Sequence, residues 1–517
     1  MGGKHSKKKI NEDLKILGEK ENKKDDINYS QSQKNEEQSP TKNNTHNFIL
    51  ITNSTDPKKD YNILQPLKKG SYSNITLVEN KISKMRSIMK TIKKSKYFTN
   101  EEDKLLNNDL KILSILDHPN IIKVFAFYSD SSSYSYITEF CQEGDLSEQL
   151  LNKGVYNEIQ AAYIMHQIFS AVNYCHKNKV INRNLTLENI LVSEIRDNMP
   201  TIKIGYFGTS VLADKNAIQI ENNNNSFYTP PEAFNNNNKY CEKSDIWECG
   251  VIMYFLLSAR PPFIGRDEEE KNHNILKENF DLEKAPFDNI SSECKDLLKL
   301  LLNSNPDKRP SAGEALKNPW FSKKCSKLLF TNISRQKILQ KMLNNIKNYK
   351  NVSIFQKYTL NYLIHNFPQL NDVKHSAKLF YQIDADGDGK IAKNELFKGL
   401  NEQLEKQLSK EEFDEIYKNI DLNNSGFIDY EEFVVASVNK NIFMRNNILY
   451  TAFKFFDKDD SGEITFDEIE MMFKEALNDG KTNVHQALKK IMDEIDVNID
   501  GKINFEEFAN CMKQMIK

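Results

Sequence analysis

The sequence predicts two structured domains of different class, an α+β domain over residues 60–321 and an all-α domain of four helix–loop–helix units over residues 373–517. Three observations carry this. Runs with strand character (Tyr61 to Val78, Ser87 to Ile92, Ser135 to Cys141) are followed by a long helical run, Gln160 to Lys177. An acidic twelve-residue segment then recurs four times, beginning at Asp384, Asp421, Asp457 and Asp496. Between these parts, residues 322–372 space their apolar side chains as helices do. A chain of 517 residues is in any case too long for one core.

Apolar content of 39% and charged content of 28% fit globular domains with polar connections. A net charge of -2 provides no strong field for nucleic acid, so no nucleic-acid partner is expected. No run approaches the roughly 18 apolar residues of a membrane span, and Gly250 to Ser258 reads as a buried core helix. The seven cysteines are scattered without a CxxC pair, which predicts reduced thiols in an intracellular, cytoplasmic protein. No secretory signal peptide is visible.

The tail, residues 1–59, opens Met1-Gly2-Gly3-Lys4-His5-Ser6-Lys7-Lys8-Lys9. This fits M-G-x-x-x-[ST], the pattern for myristoylation of Gly2. A single acyl chain binds membranes weakly, and Lys7 to Lys9 supply the second signal, a basic patch against an anionic surface. The alternative is a solvated basic tail whose start matches by chance. Residues from about 10 to 58 are rich in Lys, Asn, Asp, Glu, Gln and Ser, a composition expected to remain disordered.

In the first domain, Lys68-Lys69-Gly70-Ser71-Tyr72-Ser73 lies between two predicted strands, and Lys90 lies within a third. Leu116-Asp117-His118-Pro119-Asn120-Ile121 and Val180-Ile181-Asn182-Arg183-Asn184-Leu185-Thr186-Leu187-Glu188-Asn189 follow, then Ile204-Gly205-Tyr206-Phe207-Gly208 and Pro230-Pro231-Glu232. In this order the segments resemble a protein kinase. The resemblance implies that Gly70 covers phosphate and that Lys90 reaches the nucleotide with Asp109 as its helix partner. It places Thr138 at the gatekeeper, with Glu139 and Cys141 in the hinge of the nucleotide site, and Asn189 as a magnesium ligand. It also implies that Arg309 pairs with Glu232 and that Asp245 braces the loop around Asn184.

The departures from that pattern concern the chemistry. One glycine of G-x-G-x-x-G remains, Gly70. Asp109 stands for glutamate, one methylene shorter. Asn182 stands for the histidine of H-R-D and Thr186 for the usual lysine. Asn184 occupies the position of the catalytic base, and its amide has no useful basicity. Tyr206 replaces the aspartate of D-F-G, and a neutral phenol is a poor ligand for Mg²⁺. Binding of ATP and Mg²⁺ is therefore in question, and the joint loss points to a pseudokinase.

In the junction, Ile338, Leu339, Met342, Leu343, Ile346 and Tyr349 repeat with helical spacing, and Val352, Phe355, Tyr358, Tyr362, Leu363 and Phe367 continue the pattern. Lys337, Lys341, Lys347, Lys350 and Lys357 line the polar faces, giving a basic amphipathic helix of the kind that calmodulin binds in a groove. The plainer reading is a helix packed permanently on one domain.

The four acidic segments follow the EF-hand rule. Loop one supplies Asp384, Asp386, Asp388, the carbonyl of Lys390 and Glu395. Loop two supplies Asp421, Asn423, Ser425, the carbonyl of Phe427 and Glu432. Loop three supplies Asp457, Asp459, Ser461, the carbonyl of Glu463 and Glu468. Loop four supplies Asp496, Asn498, Asp500, the carbonyl of Lys502 and Glu507. Gly389, Gly426, Gly462 and Gly501 make the sharp turn, and isoleucine always occupies position eight (Ile391, Ile428, Ile464, Ile503). Oxygen ligands at these spacings, four times over, predict up to four Ca²⁺ ions.

Tail, kinase-like domain, basic junction and four EF-hands in this order resemble the calcium-dependent protein kinases of plants and protists. The resemblance implies a bilobal α+β kinase fold followed by a calmodulin-like all-α domain. It also implies a switch in which calcium makes that domain capture the junction helix, its intramolecular partner. Three functions follow from the residues. The first is a calcium-sensing pseudokinase acting on a signalling protein, at an anionic membrane surface or elsewhere. The second is a residual calcium-activated Ser/Thr kinase with a protein substrate, and the third a calcium buffer.

Overall fold

The computed structural model describes residues 52–53, 56–69, 73–94, 100–212, 227–234, 240–325, 333–347, 349, 353–403, 408–421, 425–473 and 484–516. Gly2, Lys7 to Lys9, Gly70, Lys350, Val352 and Asn423 lie outside them.

The small lobe is a six-stranded sheet. Its spatial order is Thr52–Asn53, Val124–Ser129, Ser133–Glu139, Arg86–Lys93, Ser73–Asn80, Tyr61–Lys69. Val78 and Ile137 are fully buried within it, as β-branched residues on a packed sheet face should be. The Asn80 side chain accepts from the backbone of Ile82 and Ser83, which shapes the turn into the next strand. Thr52–Asn53, assigned to the tail on composition, instead runs parallel to Phe127 and Tyr128. Such pairing uses backbone groups, so polar side chains do not announce it.

The large lobe is built around helices Glu158–Lys177 and Glu242–Ser258. Asn157 and Gln160 form a capping box that starts the first. The second is buried almost from end to end, with Trp247 stacked on Phe263 at 5.3 Å. A Cβ at Gly250 would lie 2.9 Å from Leu301 Cβ, so only glycine allows this approach to the Ser292–Leu301 helix.

One apolar core runs from Leu106 to Phe321 and a second from Met342 to Met512. The junction helices Ile333–Lys347 and Ile354–Asn366 therefore contribute to the C-terminal core. There the EF-hands couple in pairs through short antiparallel strands, with Ile391 opposite Ile428 and Ile464 opposite Ile503. No helix among the described residues is long and apolar enough to cross a membrane.

Candidate functional site

The loop around Asn184 is held from below. Asp245, fully buried, accepts from the backbone of Asn182 (2.9 Å) and Arg183 (2.8 Å) and faces His176 at 2.8 Å. Glu248 accepts from Leu185 N at 2.8 Å. These contacts hold Arg183 in a left-handed conformation, φ 69°. Asn182 pins the loop a second time, its Oδ1 accepting from Asn184 N and its Nδ2 donating to Tyr206 O. Asn189 donates to Asn184 O at 3.0 Å. Arg309 forks onto Glu232 through two bonds of 2.8 and 2.7 Å, so the scaffold contacts implied by the resemblance are present.

The groups around the phosphate position are arranged differently. Asp109 Oδ1 accepts from Phe207 N at 2.7 Å, and no ion pair joins Asp109 to Lys90 among the described residues. The shorter carboxylate reaches the Tyr206-Phe207 backbone, and the expected partnership with Lys90 is thereby displaced. Burial raises the Asp109 carboxyl to about 6, against the opposing effects of the Phe207 hydrogen bond and the Lys90 charge. The Lys90 ammonium lies 5.4 Å from the centre of the Tyr136 ring. Asn108 donates to the carbonyls of Phe207, Gly208 and Ser210, the last at 2.6 Å. Asn108 was invisible to motif reading because no motif position prescribes it.

Tyr206 is folded back over its own loop, with its hydroxyl 2.7 Å from where a Gly208 Cβ would sit. Burial raises its phenol further above the ordinary value, so it stays neutral. In the hinge, the Glu139 carboxylate is spent on Lys203 (2.9 Å) and Lys123 N (2.9 Å), and its backbone N–H donates to Lys123 O at 3.1 Å. Cys141 is half-buried and its thiol is pushed up by burial.

The calcium loops are gathered tightly. Asp384, Asp386 and Asp388 bring a carboxylate oxygen each within 4.8 Å of one another, as do Asp457, Asp459 and Glu468. In every loop the first aspartate accepts from the glycine amide at position six, at 2.8–3.1 Å. The closing glutamates are tied to loop amides, for example Glu395 to Ala385 and Ala392 and Glu507 to Val497 and Asn504. The Asp384 carboxyl is raised to about 8, first by burial and then by Asp388, Glu395 and Asp386. Mutually repelling oxygens at this spacing, with the first aspartate of each cluster buried, fit a hard divalent cation. Loop four departs from the others. Asp496 Oδ1 accepts from Ile499 N, at position four, where the equivalent aspartates accept from position five.

The junction is gripped by the EF-hands. Phe355 packs on Phe456 (5.2 Å) and Phe508 (5.7 Å), and Tyr362 stacks on Phe455 at 3.9 Å. Gln356 donates to Cys511 O at 2.7 Å, and Asn345 to Ser437 O at 2.8 Å. This assembly rests on the kinase-like domain. His365 Nε2 meets Val124 O at 3.1 Å, Lys374 pairs with Glu194 at 2.7 Å, and Tyr381 bonds Asn120. Burial lowers His365 to about 3, so its neutral imidazole donates to the carbonyl.

Comparison with known proteins agrees with this layout. The family model for the protein kinase domain matches residues 61–321, and that for the EF-hand domain pair matches 374–436 and 447–513. The chain is 31% identical to calcium-dependent protein kinase 33 of Arabidopsis thaliana, over 92% of this chain and 88% of that one. It is 30% identical to calcium-dependent protein kinase 4 of Plasmodium falciparum (isolate 3D7), over 88% and 87%. To calcium-dependent protein kinase 3 of Plasmodium berghei (strain Anka) it is 32% identical, over 88% and 80%. A kinase domain, a junction held by paired EF-hands and relatives matched along nearly their whole length place this chain in the calcium-dependent protein kinase family.

Proposed function

We propose that this family member is a calcium sensor whose kinase domain no longer transfers phosphate. The carrying observation is Tyr206, a half-buried neutral phenol folded over Gly208 where the chemistry needs a carboxylate for Mg²⁺. Asn184 compounds it, since an amide cannot take the substrate proton. Up to four Ca²⁺ ions would bind the EF-hand loops and alter their grip on the junction helices, and the altered surface would engage a signalling protein. Gly2 myristoylation with Lys7 to Lys9 would bring the cytoplasmic chain to anionic membranes.

Calorimetry with ATP, with and without Mg²⁺, tests the reading. The expected result is binding that is absent or indifferent to Mg²⁺. Tightening of roughly tenfold or more by Mg²⁺ would favour the second reading, a residual calcium-activated kinase using Lys90 and Asn189, for which the braced loop around Asp245 speaks. A constant exposed apolar surface on adding calcium would favour a buffer instead.

A further inference from the structure

We propose that the first calcium loop is a two-domain site, in which Asn173 of the large kinase lobe holds the loop in its binding shape. The inference rests on the calcium-sensing part of the reading above. Asn173 lies in helix Glu158–Lys177 and is 5% exposed. Its Nδ2 donates to Gly387 O at 2.7 Å and to Asp386 O at 3.3 Å. Those carbonyls belong to loop positions three and four, whose backbone oxygens are not ligands under the EF-hand rule. The lobe therefore grips loop one through atoms the ion does not use, 213 and 214 residues away in sequence.

The glycines of this loop record the same contact. A Cβ at Gly387 would lie 2.5 Å from Leu316 Cδ1, and one at Gly389 would lie 2.2 Å from the Tyr174 ring. The equivalent Gly426, Gly462 and Gly501 have nothing within 4 Å. Position four is glycine in loop one alone; the other loops carry Asn424, Asp460 and Ile499. Tyr381, on the helix that leads into the loop, is anchored to Asn120 of the same domain. By linkage, whatever docking contributes to calcium binding at this loop, calcium contributes to docking. Loop one thus reports calcium directly to the kinase lobe, separately from the junction.

The test is a calcium titration of the full chain by calorimetry, without nucleotide. Glu395→Gln identifies the loop-one binding class as the one it abolishes. Asn173→Ala is expected to weaken that class by roughly tenfold, from the loss of two hydrogen bonds, and to leave the other classes unchanged. Asn173→Asp, which faces two carbonyl oxygens with a carboxylate, should weaken it further. In the Glu395→Gln background Asn173→Ala should change nothing. Leu316→Ala, which removes an apolar contact and no polar bond, should weaken the same class and serves if Asn173 variants fail to fold. Unchanged affinity in a folded Asn173→Ala, or in Leu316→Ala where Asn173 variants do not fold, or a change in a different class, overturns the proposal. Failure of Glu395→Gln to remove any class would overturn calcium sensing at this loop itself, and neither result touches phosphate transfer.

Discussion

Replacing Phe355 by alanine should open the junction without touching any calcium ligand. Phe355 is fully buried, and its ring sits 5.2 Å from Phe456, 6.1 Å from Phe473 and 5.7 Å from Phe508. Truncating a phenylalanine in such a site costs about 3–5 kcal/mol, because the transfer term and an unfilled cavity add. Helix Ile354–Asn366 is held by this aromatic grip together with Tyr358 on Phe473, Tyr362 on Phe455 and the Gln356 bond to Cys511 O, and the cost of losing the Phe355 contacts falls on its local opening. The opening equilibrium should then rise by roughly two to three decades. Amide hydrogen exchange of residues 354–366 in the full chain reads this directly, since protection tracks the free energy of local opening. Ile354, one residue away and 54% exposed, is the control. Ile354→Ala should change protection by less than about threefold. Equal protection in Phe355→Ala and the parent would refute the view that this ring clamps the junction.

Other expectations follow from single contacts. Arg309→Ala would strand Glu232 inside the large lobe, together with the carbonyls of Asn303 and Lys243 that Arg309 now satisfies. A loss of about 3–5 kcal/mol is expected, seen as a lowered unfolding transition of the kinase domain in calorimetry. The raised Asp109 carboxyl gives stability that is present in acid and lost as pH rises through about 6, because the folded state holds the proton more tightly than the unfolded one. Asp109→Asn keeps an acceptor for Phe207 N and should raise the kinase-domain melting temperature at pH 7.5, with the advantage shrinking toward pH 5. In loop four, Ile499 is held at φ 62°, a left-handed conformation costly for a β-branched residue. Ile499→Gly relieves that strain in the folded chain and should stabilise the EF-hand domain by about 1 kcal/mol, measured as a raised unfolding transition of that domain.

What the sequence disclosed depended on how local the determinant is. The EF-hand ligands fall within twelve residues because one ion must be wrapped, so type and spacing could be read together. The isoleucines that face each other across each loop pair were legible for the same reason. Arg309 and Glu232 are 77 residues apart and were recognisable only through resemblance to a family motif. Asn182 looked like the loss of a histidine. Its structural role as a pin on Asn184 and Tyr206 emerges only when the two loops are brought together. Asn108, Asn173 and the Thr52–Asn53 strand lay beyond sequence reading altogether. Their partners are backbone groups, which every residue offers alike, and only the folded chain selects among them.

A kinase scaffold that survives without its chemistry should not transfer phosphate from labelled ATP. The full chain would be assayed for labelling of itself and of a basic protein substrate, with calcium and with chelator. Lys90→Ala serves as the control for a contaminating kinase. No transfer above that control is predicted, and restoring Asn184→Asp together with Tyr206→Asp is predicted to produce it. Calcium-stimulated transfer by the unaltered chain that disappears in Lys90→Ala would show that the kinase domain is active despite Asn184 and Tyr206.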